Sequence, residues 1–365
     1  MTAWQLTGRV VSGHGRGARF TSLEWARRAL IERLGLDPHP GTLNLKLDPD
    51  SARGLWASQC RTHGEVLAPP SGEFCVARCL SVRIGGGIPG AIILPLVPGY
   101  DATQVELIAA VPLRQRLGLL DGDAIGISAM PDLSGVRAIV FDVDGTLVNS
   151  IEGIQIAAER AAAIFGYQVP IDTVRTAMDQ GESLWDLVVP PEARADLELI
   201  QILRRETMRH WASVLDEYVR PFAGMGTTLA QLRDAGVRLA IVTGSRGESF
   251  LPLRRTRLLD FFDPVITARH VARPKPAPDG LLRCLAEMGC EPSDAAYVGD
   301  SCDDMRAGKA AGMHTIGVLT GAADGAKLSM AGADRLAASH QSLPRLLHPG
   351  GVPVSPGSLR NCAVV

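Results

Sequence analysis

The sequence predicts two unlike domains in tandem: a small domain of short strands, then a doubly wound α/β domain carrying a helical insertion. Three observations carry this. Over residues 4–130, glycine and proline punctuate short apolar runs, the texture of strands and turns around one or two helices. From 137 onward, apolar strands at 136–141, 239–242 and 295–299 alternate with helical patterns, as a parallel sheet requires. Between the first two of these strands, residues 151–222 hold helical periodicity, such as Ile154, Ala157, Ala158 and Ala161, and no convincing strand.

The bounds that follow are 1–130 for the first domain, a linker at 131–136, and 137–349 for the second. The insertion covers about 151–222, and 350–365 reads as a disordered tail rich in Pro, Gly and Ser. At 365 residues, two domains are expected; 46% hydrophobic and 21% charged residues suit a soluble globular chain. A net charge of −2 gives no electrostatic case for nucleic acid or an anionic membrane, and the apolar run 91–97 is too short to span one. No secretory signal is visible, and seven scattered cysteines read as reduced thiols, so a cytoplasmic protein acting on small molecules is expected. The terminal Cys362-Ala363-Val364-Val365 fits a prenylation box on paper, with nothing else to support it.

In the first domain, Ser22 is expected to cap a helix that runs to Leu34, with Gly35 just past its end. Ahead of it, Gly13, Gly15 and Gly17 alternate, either as an anion-binding loop or as a tight hairpin. In Thr42-Leu43-Asn44-Leu45-Lys46-Leu47 the leucines face a core. Thr42, Asn44 and Lys46 share the other face, which suits a metal–phosphate pair or plain solvent. Asp121-Gly122-Asp123 is a turn.

In the second domain the chemistry gathers at strand ends. Phe141-Asp142-Val143-Asp144-Gly145-Thr146 places two carboxylates two residues apart after a buried strand. One can attack phosphorus while the other handles a proton, although a polar turn would read the same way. Thr243-Gly244-Ser245 ends the next strand with a hydroxyl and backbone N–H groups that can hold a phosphoryl oxygen. Lys275 lies between two prolines in a chain with 33 arginines and four lysines, which suggests a chosen point charge. Finally Gly299-Asp300-Ser301-Cys302-Asp303-Asp304 is an acidic loop; Asp142, Asp300 and the Asp144 carbonyl would suit magnesium.

These four motifs, in order, resemble the haloacid dehalogenase-like phosphohydrolases. The resemblance implies Asp142 as nucleophile forming an aspartyl-phosphate, and Asp144 as general acid and then base. It also implies Thr243 and Lys275 as phosphate binders, and a magnesium shell of Asp142, Asp144 and Asp300 supported by Asp304. The family's frequent Asp at the end of the first motif is Asn149 here. The insertion resembles that family's C1 helical cap.

The first domain, through Ser12-Gly13-His14-Gly15-Arg16-Gly17, then 39–47, then 113–123, resembles the archaeal-type CTP-dependent riboflavin kinases. That resemblance implies a small β-barrel of cradle-loop type. It puts Thr42 and Asn44 at the metal, Gly13, Gly15 and Gly17 around the CTP phosphates, and Glu106 near the acceptor. Residues 51–90 match less clearly. Together the two resemblances imply a bifunctional enzyme. One rival is a phosphoglycolate or sugar-phosphate phosphatase whose barrel phosphorylates another polyol; a further rival makes the barrel a nucleotide- or flavin-sensing module.

Overall fold

The computed structural model describes residues 4–347 except 14–16, 61–63, 71–74, 102 and 246. The tail from 350 and Gly15 therefore lie outside the described residues.

The first domain is a barrel of β1 (Gln5–Val11), β2 (Leu43–Lys46), β3 (Glu65–Leu67), β4 (Ala77–Ile84), β5 (Ile88–Pro95), β6 (Gln104–Ala109) and β7 (Ala124–Ala129). Six strands close in the order β4-β5-β6-β2-β1-β7, with β7 pairing back to β4 and β3 added outside β4. Every one of these pairings is antiparallel. Closure removes the sheet edges. Alternation along each strand then fills two cores. Leu43, Leu45 and Leu47 turn inward with Val82, Ile92 and Leu107. The opposite face, with Cys79, Ala91, Ile93 and Ile108, packs on Leu30 of the helix Glu24–Leu34.

Two local expectations are corrected here. The cap of that helix is Leu23, not Ser22, and it makes no side-chain bond; Ser22 instead continues the preceding turn, donating its N–H to Ala18. Residues 14–16 lie outside the described residues, but the chain beyond the glycine-rich stretch runs on as the short helix Gly17–Thr21 and not as the second strand of a hairpin. The helix does end as expected, on Gly35 at φ +65°. A Cβ there would meet the Leu336 carbonyl oxygen at 2.1 Å, so glycine is also what lets the two domains touch.

The second domain is built on β8 (Ala138–Phe141), β11 (Arg238–Val242), β12 (Val265–Ile266), β13 (Ala295–Gly299), β14 (His314–Val318) and β15 (Arg335–Ala337). They form a parallel sheet in the order β12-β11-β8-β13-β14-β15. Ile139 and Phe141 pack on one layer with Leu229 and Leu343; Ala138 and Val140 pack on the other with Leu281 and Ala307. The chain leaves β8 in one direction for β11 and in the other for β13. The carboxyl ends of β8 and β13 thus flank the switch point, where such sheets bind ligands.

The insertion has its own small core, where Ala158, Val174, Trp185, Ile200 and Leu203 join the helices Ile151–Ala162, Ile171–Gln180, Leu184–Val188 and Leu197–Glu217. It does contain a strand: β10 (Arg220–Pro221) pairs antiparallel with β9 (Val148–Asn149). Two residues leave no periodicity to read, which is why the sequence hides it. The pair ties the two ends of the insertion together at its root. Among the described residues, no helix is long and apolar enough to cross a membrane.

Candidate active sites

At the carboxyl end of β8, Asp142 is buried, as are Asp300 and Asp304 at the end of β13. Lys275 arrives from the loop after β12. Its Nζ donates to Asp142 Oδ1 at 2.7 Å and to Asp304 Oδ1 at 2.5 Å. Asp304 is held from all sides: Ser301 N–H at 3.0 Å and Oγ at 2.7 Å reach Oδ2, and the Tyr297 hydroxyl reaches Oδ1 at 2.8 Å. Asp300 accepts from Thr146 Oγ1 and from the Ala322 N–H, both at 2.8 Å. Asp144 Oδ2 accepts from Ser249 Oγ at 3.0 Å. Gly145, at φ +79°, leaves the strand sharply, and a Cβ there would sit 2.3 Å from Asp300 Oδ2.

Three buried carboxyl groups face one ammonium, so full ionisation would leave two excess negative charges in the cluster. Burial pushes Asp142 up to about 7; Lys275 opposes the rise, while Asp304 and Asp144 add to it. Asp300 is raised well above the carboxylate range, first by burial and then by Asp304 and Asp142. In Asp304 burial is outweighed by Lys275 and the hydrogen bonds, and its pKa is lowered. Ligand atoms of Asp142, Asp300 and Asp304 lie within 4.8 Å of one another, so the donor set fits a hard divalent cation. Among the described residues, Asp304 accepts five hydrogen bonds where Asp300 accepts two, which suits Asp304 to anchoring Lys275 and backing the cluster.

Thr243, buried at the end of β11, accepts from the Ser245 N–H at 3.1 Å, and an added Cβ on Gly244 would lie 3.8 Å from Lys275 Cε. All the residues expected at this site therefore converge on one strand-end cleft. Tyr297, Ser249 and Thr146 were missed in the sequence. Tyr297 reads there as a core aromatic inside a strand, Ser249 has no motif around it, and Thr146 lies in the first motif but was given no role. The insertion touches the acidic loop through Asp179, whose Oδ1 accepts from the Cys302 N–H at 2.8 Å.

On the barrel, Asn44 and Glu106 are cross-strand partners on β2 and β6, and Val11 is the partner of Asn44 on β1. Gln104 Nε2 donates to Asn44 Oδ1 at 3.2 Å, and the Tyr100 hydroxyl donates to Glu106 Oε1 at 3.5 Å. The glycines lie against the same face. A Cβ on Gly13 would approach Asn44 Nδ2 to 2.1 Å, and one on Gly17 would approach Thr42 Oγ1 to 2.2 Å. Thr42, Asn44, Glu106, Gly13 and Gly17 thus share one patch. Gln104, Tyr100 and Thr21, whose hydroxyl holds the Gly41 N–H at 2.9 Å, were not foreseen.

Comparison with known proteins agrees with both geometries. The family model for haloacid dehalogenase-like hydrolases matches residues 139–318, and that for CTP-dependent riboflavin kinases, described as domain of unknown function DUF120, matches 10–129. The riboflavin kinase of Pyrobaculum arsenaticum is 37% identical over 139 residues, 34% of this chain; the match spans 60% of that kinase's length. Pyrophosphatase PpaX of Bacillus velezensis is 33% identical over 192 residues, 50% of this chain and 83% of its own. The phosphoglycolate phosphatase of Nitrosospira multiformis is 31% identical over 195 residues, 52% of this chain and 86% of its own. With most of the length of such relatives covered, the chain belongs to the haloacid dehalogenase-like hydrolase family and carries a riboflavin-kinase-like domain ahead of it.

Proposed function

We propose that the chain is a bifunctional enzyme: a CTP-dependent kinase that makes FMN from riboflavin, and a magnesium-dependent phosphatase. The observation that carries the phosphatase half is the buried cluster of Asp142, Asp300 and Asp304 around Lys275. Asp142 attacks the phosphorus atom and forms an aspartyl-phosphate while Asp144 gives a proton to the leaving oxygen. Thr243, Lys275 and the N–H groups at Gly244 and Ser245 hold the phosphoryl oxygens as charge develops. Asp144 then takes a proton from the water that frees Asp142, with Ser249 fixing the orientation of its carboxylate. A magnesium ion held by Asp142, Asp300 and the Asp144 carbonyl, with Asp304 behind, would keep Asp142 ionised and neutralise the phosphoryl charge.

For the kinase half, Thr42 and Asn44 would hold the metal that accompanies the donor phosphates. The backbone at Gly13 and Gly17, and at Gly15 outside the described residues on the family resemblance, would border those phosphates, and Glu106 would stand near the acceptor hydroxyl. Small molecules are the partners on this reading. Free thiols at Cys60, Cys75, Cys79, Cys284, Cys290 and Cys302 support a reducing, cytoplasmic setting.

A phosphatase that removed the kinase's own product would only consume CTP. We therefore assign its substrate upstream, as 5-amino-6-(5-phosphoribitylamino)uracil. A second reading, phosphoglycolate or a sugar phosphate, is favoured by the relative named phosphoglycolate phosphatase. The test begins with riboflavin plus CTP or ATP, where FMN should form with CTP. A Thr42→Ala, Asn44→Ala chain, unable to re-form FMN, then serves for hydrolysis. The uracil precursor should exceed FMN at least about tenfold in kcat/KM, a difference of roughly 1.4 kcal/mol. Faster hydrolysis of FMN rejects the biosynthetic assignment, and rapid turnover of phosphoglycolate alone supports the second reading.

A further inference from the structure

A cavity of about 490 Å³ lies between the two domains, away from both sites above. The barrel side supplies Arg33, Val66 and Ser81, and the phosphatase side supplies Arg335, Leu336 and Arg345. The volume is that of a ligand pocket rather than a packing defect. Its charge is lopsided. Arg335, only 8% exposed, donates through Nη2 to the Pro131 carbonyl at 2.8 Å, and its Nε finds no partner. Behind it Arg83 pairs with Asp334 and likewise has a buried Nε without a partner. Asp334 is itself shared with Lys309, at 2.6 Å, and with the Thr315 N–H, at 2.9 Å. Arg345 reaches the Arg33 carbonyl at 2.8 Å and Glu65 at 2.7 Å.

Among the described lining residues, then, Arg33, Arg335 and Arg345 stand with Glu65 as their acidic neighbour, while Arg83 and Lys309, outside the lining, share Asp334. Burial first, and Arg83 second, bring Arg335 down to about 10. A desolvated guanidinium short of counter-charge is costly unless an anion completes it. Planar guanidinium groups match phosphate oxygens in pairs. Leu34, Val66, Leu336 and Leu346 add apolar surface to the lining.

We propose that this cavity binds a phosphate monoester carried on a flat apolar body, and that the bound molecule clasps the two domains together. Arg335 and Arg345 take the phosphate, and the leucines cover the ring. The inference concerns a site that none of the catalytic candidates lines, so it stands whether or not the barrel phosphorylates riboflavin.

FMN is the probe, titrated into the full chain carrying Thr42→Ala, Asn44→Ala and Asp142→Asn to silence turnover. Saturable binding is expected, with riboflavin, which lacks the phosphate, at least tenfold weaker. Adding Arg335→Gln should weaken FMN binding at least tenfold, and FMN should then no longer raise the unfolding temperature of both domains together. Because Arg335→Gln can destabilise β15, Ser81→Trp provides an independent arm that fills the cavity from the barrel side; it too should abolish this binding. FMN affinity unchanged in both variants would overturn the proposal. Inorganic phosphate binding as tightly as FMN would overturn the apolar half of it. A parent chain that makes no FMN from riboflavin, yet binds FMN in an Arg335-dependent way, rejects the kinase reading and sustains this one.

Discussion

The two candidate sites are built on opposite principles. In the phosphatase, function rests on side chains that restrain one another. Asp142, Asp304, Lys275 and Tyr297 form one buried network in which each charge has a fixed partner. On the barrel, function rests on absent side chains. Gly13 and Gly17 leave the room that Asn44 and Thr42 occupy, and the polar groups are lightly tied, with Gln104 on Asn44 at 3.2 Å and Tyr100 on Glu106 at 3.5 Å. The first cluster is held in place by its own hydrogen bonds; on the kinase reading the second would be completed by the donor phosphates. The difference says where each will break: the phosphatase at a charge, the barrel at a methyl group.

The largest effect should come from a charge. Asp142→Asn keeps the shape but removes the nucleophile, and phosphatase turnover should fall by about 10⁴-fold or more. CTP-dependent transfer in the same preparation should be unchanged, because the two sites share no residue. Phosphatase activity persisting in a clean preparation would reject the nucleophile.

Adding one methyl group should act next most strongly. In Gly17→Ala the new Cβ would lie 2.2 Å from Thr42 Oγ1, so the loop or Thr42 must move. A displacement of that order costs roughly 10²-fold in transfer from CTP. The phosphatase and its unfolding temperature should not change. Full kinase activity in this variant would place the donor elsewhere on the barrel.

Tyr297→Phe probes the network without removing a charge. It deletes the 2.8 Å bond to Asp304 and leaves that buried oxygen to Lys275 alone. A loss of roughly 1–2 kcal/mol is expected, about tenfold in kcat. The effect should lie in kcat rather than KM if Asp304 works by positioning Lys275, and an unchanged kcat would remove Tyr297 from the site.

The contrast also explains what could be read from the sequence. Asp142, Asp144, Thr243, Asp300 and Asp304 were legible because they come just after apolar strands whose ends a parallel sheet brings together, and Lys275 because it is a rare lysine set between two prolines. Thr42 and Asn44 were legible through the leucine alternation that turns them to one face of β2. Tyr297 was not, because its hydroxyl acts from inside a strand whose pattern speaks only of burial. Ser22 failed as a cap because it still belongs to the preceding helical turn, and the next helix starts past Leu23. The domain contact, where Gly35 meets Leu336 and Arg83 meets Asp334, joins residues some 250 to 300 positions apart and has no local signature at all.

That contact supplies the smallest effect, one that bears on whether the two sites are independent. Asp334 is buried between Arg83 of the barrel and Lys309 of its own domain. Burial acts to raise its pKa, but Lys309, the Thr315 N–H and Arg83 outweigh it, and the net shift is downward. A carboxyl with a lowered folded-state pKa adds stability above its unfolded pKa, and that contribution is lost as pH falls through the folded value. At pH 7 Asp334→Asn should therefore be less stable than the parent, by roughly 1–2 kcal/mol. The gap should close as the pH drops below the ordinary carboxylate range, where the parent protonates Asp334 as well. Thermal unfolding of both chains from pH 7 down to pH 3 is the measurement. A gap that stays constant across this range would mean that Asp334 acts by packing alone. A gap that closes would show that charge joins the barrel to the phosphatase, and both enzymatic rates should then be followed over the same range. Since the catalytic sites share no residue, losing the ion pair should leave each rate within about twofold at a temperature where both chains are folded.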